Sequence, residues 1–386
     1  MSRLDELIQE LCPNGVEFIA IGEVADYEQP SKYIVNSTDY NDNFKIPVLT
    51  AGQSFILGYT DETDGIYEAS KDNPVIIFDD FTGALKWVDF PFKVKSSAMK
   101  MLKAKPKKIT LRYLFHVMGN IGFTSSEHKR LWISVYSAFE IPLPPLEVQS
   151  EIVRILDNFT ELTAELTAEL TARKKQYEYY RDKLLSFTWM PLGVIGEIRM
   201  CKRVLKEQTS DFAEIPFYKI GTFGREPSAY ISRELFNEYK SKYNYPKVGE
   251  ILISASGTIG KAVIFDGQEA YFQDSNIVWV ENDESRVLNK YLFYCYQIAK
   301  WKIAEGGTIQ RLYNENLKKT LIPIPYPNDK KKSLEEQRRI VSILDKFDTL
   351  TTSISEGLPK EIELRRKQYE YYRNQLLSFP DNKATA

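Results

Sequence analysis

Two neighbouring side chains in the second half of the sequence have the chemistry needed to recognise base edges. Gln310 and Arg311 follow a Gly306-Gly307 turn. A glutamine amide can form two hydrogen bonds with the edge of adenine, and an arginine guanidinium can do the same with guanine. A surface loop with a salt-bridged arginine is the competing interpretation of this segment.

A second candidate is a glycine-containing loop that follows a short apolar run at residues 251–253. Thr258 and Lys261 lie beside Gly257 and Gly260, where a phosphate can approach the backbone. The Gly-x-x-Gly-Lys spacing does not match the Walker nucleotide-binding loop, which needs Gly-x-x-x-x-Gly-Lys followed by Ser or Thr. An ordinary hairpin turn explains the loop equally well.

The elements that position these residues occur twice in the chain. Residues 174–187 return almost unchanged as residues 366–379, and residues 155–159 are closely matched by residues 343–347. The earlier part of each half shares only scattered short matches. A repeat of this kind predicts two modules in which one part is constant and another varies.

The variable parts, residues 1–146 and 188–332, are predicted to be α+β domains. Short β-branched runs such as residues 75–78 indicate strands, whereas residues 288–302 have the length and apolar spacing of a helix. A helix packed on such a sheet gives an α+β architecture. Proline-rich segments then end each domain.

The constant parts, residues 147–187 and 333–379, are predicted to be long helices. The first contains no glycine or proline, and its seam residues recur at alternating steps of four and three, which is the heptad pattern of a coiled coil. The second has one additional step of four near Gly357-Leu358-Pro359, so a kink or break is expected there. Residues 380–386 are predicted to form a flexible tail. The first seam consists of Ile152, Leu156, Phe159, Leu166, Leu170, Tyr177, Tyr180, Leu184 and Phe187, with Thr163 and Arg173 in two further places.

A four-residue unit, Thr-Ala-Glu-Leu, occurs at residues 163–166 and again at 167–170. Each unit adds about 6 Å to a helix. The units therefore suggest a ruler between the two ends of the helix. A helical tract without functional significance is the alternative.

Composition narrows the class of protein. The chain has 51 Lys and Arg against 53 Asp and Glu, so a surface for a polyanion must be local. Without a long apolar run or a signal-peptide pattern, a cytoplasmic protein is expected.

Cys12, Cys201 and Cys295 fit neither a disulfide framework nor a zinc site, and no metal is expected. His116 and His128 are predicted to be structural.

The whole pattern resembles the DNA-specificity subunit of type I restriction-modification enzymes. The resemblance is carried by the repeat, the paired Lys/Arg-Lys-Gln-Tyr-Glu-Tyr-Tyr-Arg helices, the Thr-Ala-Glu-Leu units and the segment at 306–313. It covers nearly the whole chain. It implies that residues 1–146 and 188–332 are target-recognition domains, each reading one half of a split DNA sequence. It also implies that the long helices form an antiparallel coiled coil that sets the spacer, with approximate two-fold symmetry.

The same resemblance implies partners. They are double-stranded DNA, two methyltransferase subunits that carry S-adenosylmethionine and methylate adenine, and motor-nuclease subunits that restrict unmodified DNA. The chain itself is expected to bind no cofactor and to be no enzyme, since it has no Asn/Asp-Pro-Pro-Tyr-like tetrapeptide and no nucleotide-binding loop. No membrane partner is expected. A coiled-coil scaffold that binds only proteins is the alternative function.

Candidate DNA contacts in the first half come from alignment with the second. Residues 81–86 take the place of residues 256–261, and Lys129-Arg130 take the place of Gln310-Arg311, although a solvated loop also explains that pair. The full set of candidates is Gln310, Arg311, Thr308, Thr258, Lys261, Lys129, Arg130 and Lys86.

Candidate residues for docking a protein partner lie off the heptad seam. Tyr179 is close to Arg181, and Tyr371 is close to Arg373 in the second copy. An exposed aromatic residue near an arginine, repeated in both halves, is typical of an interaction surface. Packing against the chain's own domains is the alternative.

Overall fold

A computed structural model describes residues 2–50, 54–105, 107–123, 129–301, 303, 311–353 and 355–382. The chain divides into two compact units. Unit 1 contains residues 1–167 and 361–386, and unit 2 contains residues 168–360. Each unit therefore combines one variable part with portions of both helical segments. The domain boundaries derived from the sequence stay predictions.

Unit 1 begins with short helices and strands. Its helices before the long segment are α1 (Arg3–Leu11), α2 (Ile21–Val24) and α3 (Leu111–Met118). Its strands are β1 (Glu17–Ala20), β2 (Ala25–Glu28), β3 (Ile46–Leu49), β4 (Ile56–Thr60), β5 (Val75–Asp79), β6 (Leu85–Val88), β7 (Lys93–Val94), β8 (Met99–Ala104) and β9 (Glu140–Leu143). The long helix α4 (Leu146–Leu184) follows and continues into unit 2.

Unit 2 has a corresponding set of elements. Its strands are β10 (Thr188–Pro191), β11 (Ile198–Arg199), β12 (Ile215–Tyr218), β13 (Tyr230–Ile231), β14 (Ile251–Ser254), β15 (Ala262–Ile264), β16 (Tyr271–Phe272), β17 (Ile277–Val280) and β18 (Leu321–Ile324). Its helices are α5 (Arg233–Lys242), α6 (Asn289–Ile298), α7 (Asn314–Lys319) and α8 (Lys330–Thr352), and the chain ends with α9 (Gly357–Leu376), which continues into unit 1.

The two units share one strand topology. In unit 1 the strand orders are β2-β8-β5-β6 and β4-β3-β7, with a separate β1-β9 pair. In unit 2 they are β11-β17-β14-β15 and β13-β12-β16, with a β10-β18 pair. The only parallel pairs among the described strands, β3 with β7 and β12 with β16, are also equivalent. The predicted α+β class and internal repeat are therefore confirmed at the level of topology.

The burial of the central strands β5 and β14 explains why they appear in the sequence as continuous apolar runs. Every residue of β5 and of β14 is buried, as expected for strands covered on both faces. The predicted strands at 75–78 and 251–253 are thus confirmed. The helix predicted at 288–302 is confirmed but shorter, because the backbone of Ala299 is extended and ends α6 at Ile298.

Buried glutamines anchor the long helices to the domains in the same way in both units. The amide oxygen of Gln149 accepts a hydrogen bond from the backbone N–H of Thr110 at 2.9 Å. The amide oxygen of Gln337 accepts one from the backbone N–H of Leu288 at 2.8 Å. Each glutamine also donates to a backbone carbonyl of the segment before α3 or α6. This shared anchor supports the repeat where the surrounding sequences differ.

Replacing Gln149 with alanine is expected to lower the free energy of unfolding by about 2–4 kcal/mol. The change leaves the Thr110 N–H and the carbonyls of Lys108 and Pro144 without this partner, and each buried unsatisfied group costs about 1–3 kcal/mol. Urea denaturation measures the loss. Gln176→Ala is the control, because Gln176 is on the same helix and its side-chain oxygen accepts from the Arg173 side chain rather than from a backbone N–H of the domain. Equal effects of the two changes would contradict the anchoring role.

The helix break predicted near Gly357-Leu358-Pro359 is confirmed. Helix α8 ends at Thr352 and α9 begins at Gly357. Gly357 has φ +80°, and a Cβ there would lie 2.5 Å from the Thr349 carbonyl oxygen, so only glycine fits. Pro359 lies in the first turn of α9, where its missing N–H costs no helical hydrogen bond. By contrast, α4 is uninterrupted over 39 residues but ends at Leu184, before the predicted Phe187.

The predicted seam is the less exposed side of the long helices. In α4 the seam positions are buried or half-buried, apart from Tyr180 at 39% exposed. In unit 1, Phe159 stacks on Tyr372 with ring centroids 5.4 Å apart. In unit 2, the Tyr177 ring lies 6.3 Å from that of Phe347. The first half of α4 therefore pairs with the last part of α9, and its last part pairs with α8, which is an antiparallel order of contacts.

The prediction of a flexible tail from residue 380 is wrong for its first residues. The Val16 backbone N–H donates to the Pro380 carbonyl at 2.9 Å, and the Asn382 N–H donates to the Val16 carbonyl at 3.1 Å. These backbone bonds attach residues 380–382 to the start of the chain, a long-range contact that tail composition does not reveal. Residues 383–386 lie outside the described residues. In the part of the chain that is described, no helix is long and apolar enough to cross a membrane.

Candidate nucleic-acid interface

Arg311 is held at the loop after β14 in unit 2. Arg311 and Ser256 form an isolated antiparallel bridge, and the Leu312 N–H donates to the Ala255 carbonyl at 2.8 Å. Leu312 is buried, whereas Arg311 is exposed. The structure thus brings together two segments that the sequence analysis singled out separately. The other candidates of that segment, Thr308 and Gln310, lie outside the described residues.

The geometry of the loop at 254–261 fits the hairpin interpretation. The Ser254 N–H donates to the Lys261 carbonyl at 2.9 Å and closes the turn. The Lys261 ammonium donates to the carbonyls of Phe223 and Gly224. Because this ammonium is used inside the protein, the geometry does not support Lys261 as a phosphate contact. Thr258 is exposed at the tip of the turn.

A groove of unit 2 lies beside Arg311, and sequence reasoning missed most of its residues. It contains four basic residues and one acidic residue, in a chain whose formal net charge is −2. Such a local positive surface is what a polyanion partner requires. The loop between β16 and β17, residues 273–276, forms one wall. The polar residues of the groove are Arg203, Lys206, Thr209, Lys219, Gln273, Asp274, Ser275, Asn276 and Arg311.

Unit 1 places Arg130 where unit 2 places Arg311. The Leu131 N–H donates to the Asp80 carbonyl at 2.8 Å, which is the counterpart of the bond from Leu312 to Ala255. The predicted equivalence of these arginines in position is therefore confirmed. Their surroundings differ, because the Asp80 carboxylate lies 3.7 Å from the Arg130 guanidinium and 3.0 Å from the Lys100 ammonium. Lys129, next to Arg130, is exposed.

The alignment of Lys86 with Lys261 is wrong. The Asp79 N–H donates to the Ala84 carbonyl at 2.8 Å, and this bond is the counterpart of the one from Ser254 to Lys261. Ala84 therefore takes the position of Lys261, because the unit 1 turn is two residues shorter. Lys86 is an exposed residue of β6, with its ammonium 5.7 Å from the centre of the Phe55 ring.

The four docking candidates divide into exposed tyrosines and engaged arginines. Tyr179 is 62% exposed and Tyr371 is 59% exposed. Arg181 donates to the Asp182 carboxylate at 2.8 Å, whereas Arg373 donates to the Asn120 side chain of its own unit at 2.9 Å. The tyrosines are thus available to a partner. Arg373 therefore fits the alternative interpretation, in which this residue packs against the chain's own domain and does not dock a partner.

A partly buried polar cluster links α3 to both long helices within unit 1. His116 shares a hydrogen bond with the Asp157 carboxylate at 2.8 Å and another with the Tyr369 hydroxyl at 3.2 Å. Burial disfavours the charged form of Asp157, but hydrogen bonds from His116 and Arg112 outweigh it and lower the pKa of this carboxyl. In unit 2, Asp345 takes the equivalent position. His116 is therefore structural, as predicted, and His128 lies outside the described residues.

The three cysteines are buried free thiols. Burial raises the pKa of Cys201 to about 12, so this thiol stays protonated. Within the described residues, no group of three or more His, Cys, Asp or Glu side chains is arranged to hold a metal ion.

Two units of one topology, each with an arginine at the same loop junction, define a protein built from two repeated modules, and in unit 2 this arginine lies at a basic groove. A family model described as the type I restriction modification DNA specificity domain matches residues 13–173 and again residues 187–364. The chain belongs to this family of type I restriction-modification DNA specificity proteins.

Two curated relatives are similar over nearly their full length. A putative type I restriction enzyme specificity subunit from Haemophilus influenzae is 50% identical, over 94% of this chain and 96% of the relative. A type I restriction enzyme specificity subunit from Escherichia coli is 44% identical, over 98% of both chains. The predicted function, a DNA-recognition subunit of a type I restriction-modification complex that is not itself an enzyme, is thereby confirmed.

Solved structures show the same fold at low sequence identity. A chain from a study of complex assembly and conformational transition of the type I restriction-modification system has a TM-score of 0.57 and 18% identity, covering 95% of this chain and 98% of that one. The specificity subunit from M. genitalium has a TM-score of 0.55 and 15% identity, covering 95% of this chain and 97% of that one.

Proposed function

We propose that unit 1 and unit 2 each read one half of a bipartite DNA target and that the long helices set the spacer between the halves. The observation that carries this proposal is one backbone framework with different side chains at equivalent positions. Lys95 and Gln273 both begin the loop after the parallel edge strand, as their backbone bonds to β3 and β12 show. Loops that occupy equivalent positions but carry different side chains can recognise different DNA sequences.

The proposal includes a directing role for partner subunits. Two methyltransferase subunits, carrying S-adenosylmethionine, methylate adenine in the target, and motor-nuclease subunits restrict unmodified DNA. The exposed Tyr179 and Tyr371 occupy equivalent places on the long helices. Two copies of one partner would find the same aromatic residue in each half, which fits a pair of identical methyltransferase subunits.

The test is co-expression of the chain with its cognate methyltransferase subunits in a host that lacks them. We expect N6-methyladenine at a single split DNA motif, as read by methylome sequencing. The purified chain with S-adenosylmethionine alone is expected to methylate nothing, because it contributes recognition and no catalysis. A gel shift of the assembled complex on the mapped motif measures binding directly.

Two results would contradict the proposal. Methylation by the highly purified chain alone would show intrinsic catalysis. A stable complex with the methyltransferase that binds no DNA would instead indicate a scaffold that contacts only proteins.

A further inference from the structure

The groove of unit 2 has a rigid wall. The loop at 273–276 is closed by a hydrogen bond from the Ile277 N–H to the Gln273 carbonyl at 3.0 Å. A bond of 2.7 Å from the Ala255 N–H to the Asn276 carbonyl ties the loop to the strand that also holds Arg311. Ser275 has φ +59°, a strained conformation that is often kept at binding sites. The backbone of this wall is therefore held in place before any ligand arrives.

Hydrogen bonds within the protein already engage several acceptor atoms of this wall. The Gln273 amide oxygen accepts from the Ile220 backbone N–H at 2.9 Å. The Asn276 amide oxygen accepts from the Ser256 hydroxyl at 2.8 Å. The Asp274 carboxylate is engaged by the Arg203 guanidinium at 2.9 Å. These bonds leave each amide its N–H₂ group, which only donates, and one of the two acceptor sites of its oxygen.

The arginine beside the wall adds further donors. Arg311 is exposed, and its guanidinium has only donors to offer. In unit 1 the equivalent Arg130 lies 3.7 Å from the buried Asp80 carboxylate. In unit 2 the small Ala255 replaces that aspartate. Among the described residues, Arg311 therefore lacks the carboxylate partner that its counterpart has, and its guanidinium can donate to a ligand.

A surface of donors matches guanine best among the bases of the major groove. Guanine presents two adjacent acceptors, N7 and O6, whereas adenine presents an acceptor next to a donor, thymine presents a single acceptor next to a methyl group, and cytosine presents a donor. Adenine recognition by Gln273 or Asn276 would need a second hydrogen bond to an amide oxygen that already accepts one within the protein, whereas the Arg311 guanidinium can donate to both guanine acceptors at once. We propose that Arg311, flanked by the amides of Gln273 and Asn276, reads a guanine in the half-site of unit 2. This inference rests on the proposed DNA-reading function of that unit.

The test uses the complex of the full chain with its methyltransferase subunits and duplexes of the mapped target. We expect the unit 2 half-site to contain a G·C pair at which 7-deazaguanine, which lacks N7 but still pairs with cytosine, weakens binding about tenfold to one-hundredfold. With Arg311→Ala, the same base substitution is expected to change binding less than twofold. Arg311→Lys should also lose most of the sensitivity, because an ammonium cannot form the two-pronged contact.

Two variants serve as matched controls. Arg130→Ala is expected to leave the 7-deazaguanine effect in the unit 2 half-site intact. Lys206→Ala, which removes an exposed cation of the same groove, is expected to weaken binding to all duplexes by a similar factor, as loss of a phosphate contact does. Because Arg311 is exposed, its replacement should leave the thermal unfolding curve unchanged, and the 7-deazaguanine measurement on the unaltered complex does not depend on any variant.

The possible results distinguish failure of the guanine assignment from failure of the proposed DNA-reading function. A bipartite target whose unit 2 half-site contains no G·C pair would overturn the guanine assignment while leaving the proposed function intact. So would a 7-deazaguanine effect that persists in Arg311→Ala. Absence of any split methylation motif would overturn the proposed function itself.

Discussion

Exchanging residues 188–332 for those of another family member is expected to change one half of the methylated DNA motif completely and to leave the other half as it was. The exchanged segment keeps both partners of the β10-β18 pair, so its entry and exit strands stay matched. The Tyr291 hydroxyl, which bonds the Pro323 carbonyl at 3.1 Å, is exchanged together with its acceptor. Gln337 stays on the retained helix. Among the described residues its bonds to the exchanged domain are with the Leu288 N–H and the Arg286 carbonyl, backbone groups that any residue except a proline at position 288 supplies.

Methylome sequencing of cells that carry the hybrid and its methyltransferase subunits measures this result. The reciprocal control exchanges residues 1–146, and it is expected to alter the opposite half of the motif. Simultaneous change of both halves in either hybrid would show that the two domains do not read DNA independently.

Deleting Thr-Ala-Glu-Leu at residues 167–170 is expected to shorten the nonspecific spacer by about one base pair without changing either half-site. Four residues contribute about 6 Å of rise and rotate the helix by about 40° beyond a full turn. One base pair of B-DNA contributes about 3.4 Å and about 34–36°. The rotations nearly agree, and the break between Thr352 and Gly357 gives the second helix a place to absorb the difference in length.

The matched variant inserts a third copy of the same unit, for which a spacer about one base pair longer is expected. Both variants preserve the composition of the tract and differ only in length. Methylome sequencing gives the spacer directly. An unchanged spacer in both variants would identify the units as an inert helical tract, and loss of methylation with a lowered melting temperature would show that the deletion acts only on stability.

The long helices could be predicted because their determinants are local. A heptad pattern identifies which side of a helix is buried whatever it packs against, and the observed seam in α4 follows it from Ile152 to Leu184. The break was predictable for the same reason, since glycine and proline act on their own backbone. The predicted ends of the helices were less accurate, because helix termini depend on capping and on contacts with the domain.

Repetition also revealed what single motifs did not. Exact matches at the helices exposed the two halves, and the observed strand orders show that the repeat extends into domains whose sequences share little. The wrong alignment of Lys86 lies in these divergent domains. An ungapped alignment does not account for a hairpin turn that is two residues shorter in unit 1 than in unit 2. Only the backbone hydrogen bonds that close each turn reveal the correct pairing with Ala84.

The sequence by itself determined the α+β class, the repeat, the coiled-coil seam and the family, since each depends on local periodicity or on matched segments. The tertiary structure alone decided which loops meet. Arg203, Gln273 and Arg311 are far apart in the chain and come together because the strand pairings of unit 2 place their loops along one groove. Solvent-exposed binding residues follow no periodic pattern in the sequence. The atoms that they can offer to a ligand depend on hydrogen bonds between segments distant in sequence, such as the bond from the Ile220 N–H to the Gln273 side chain.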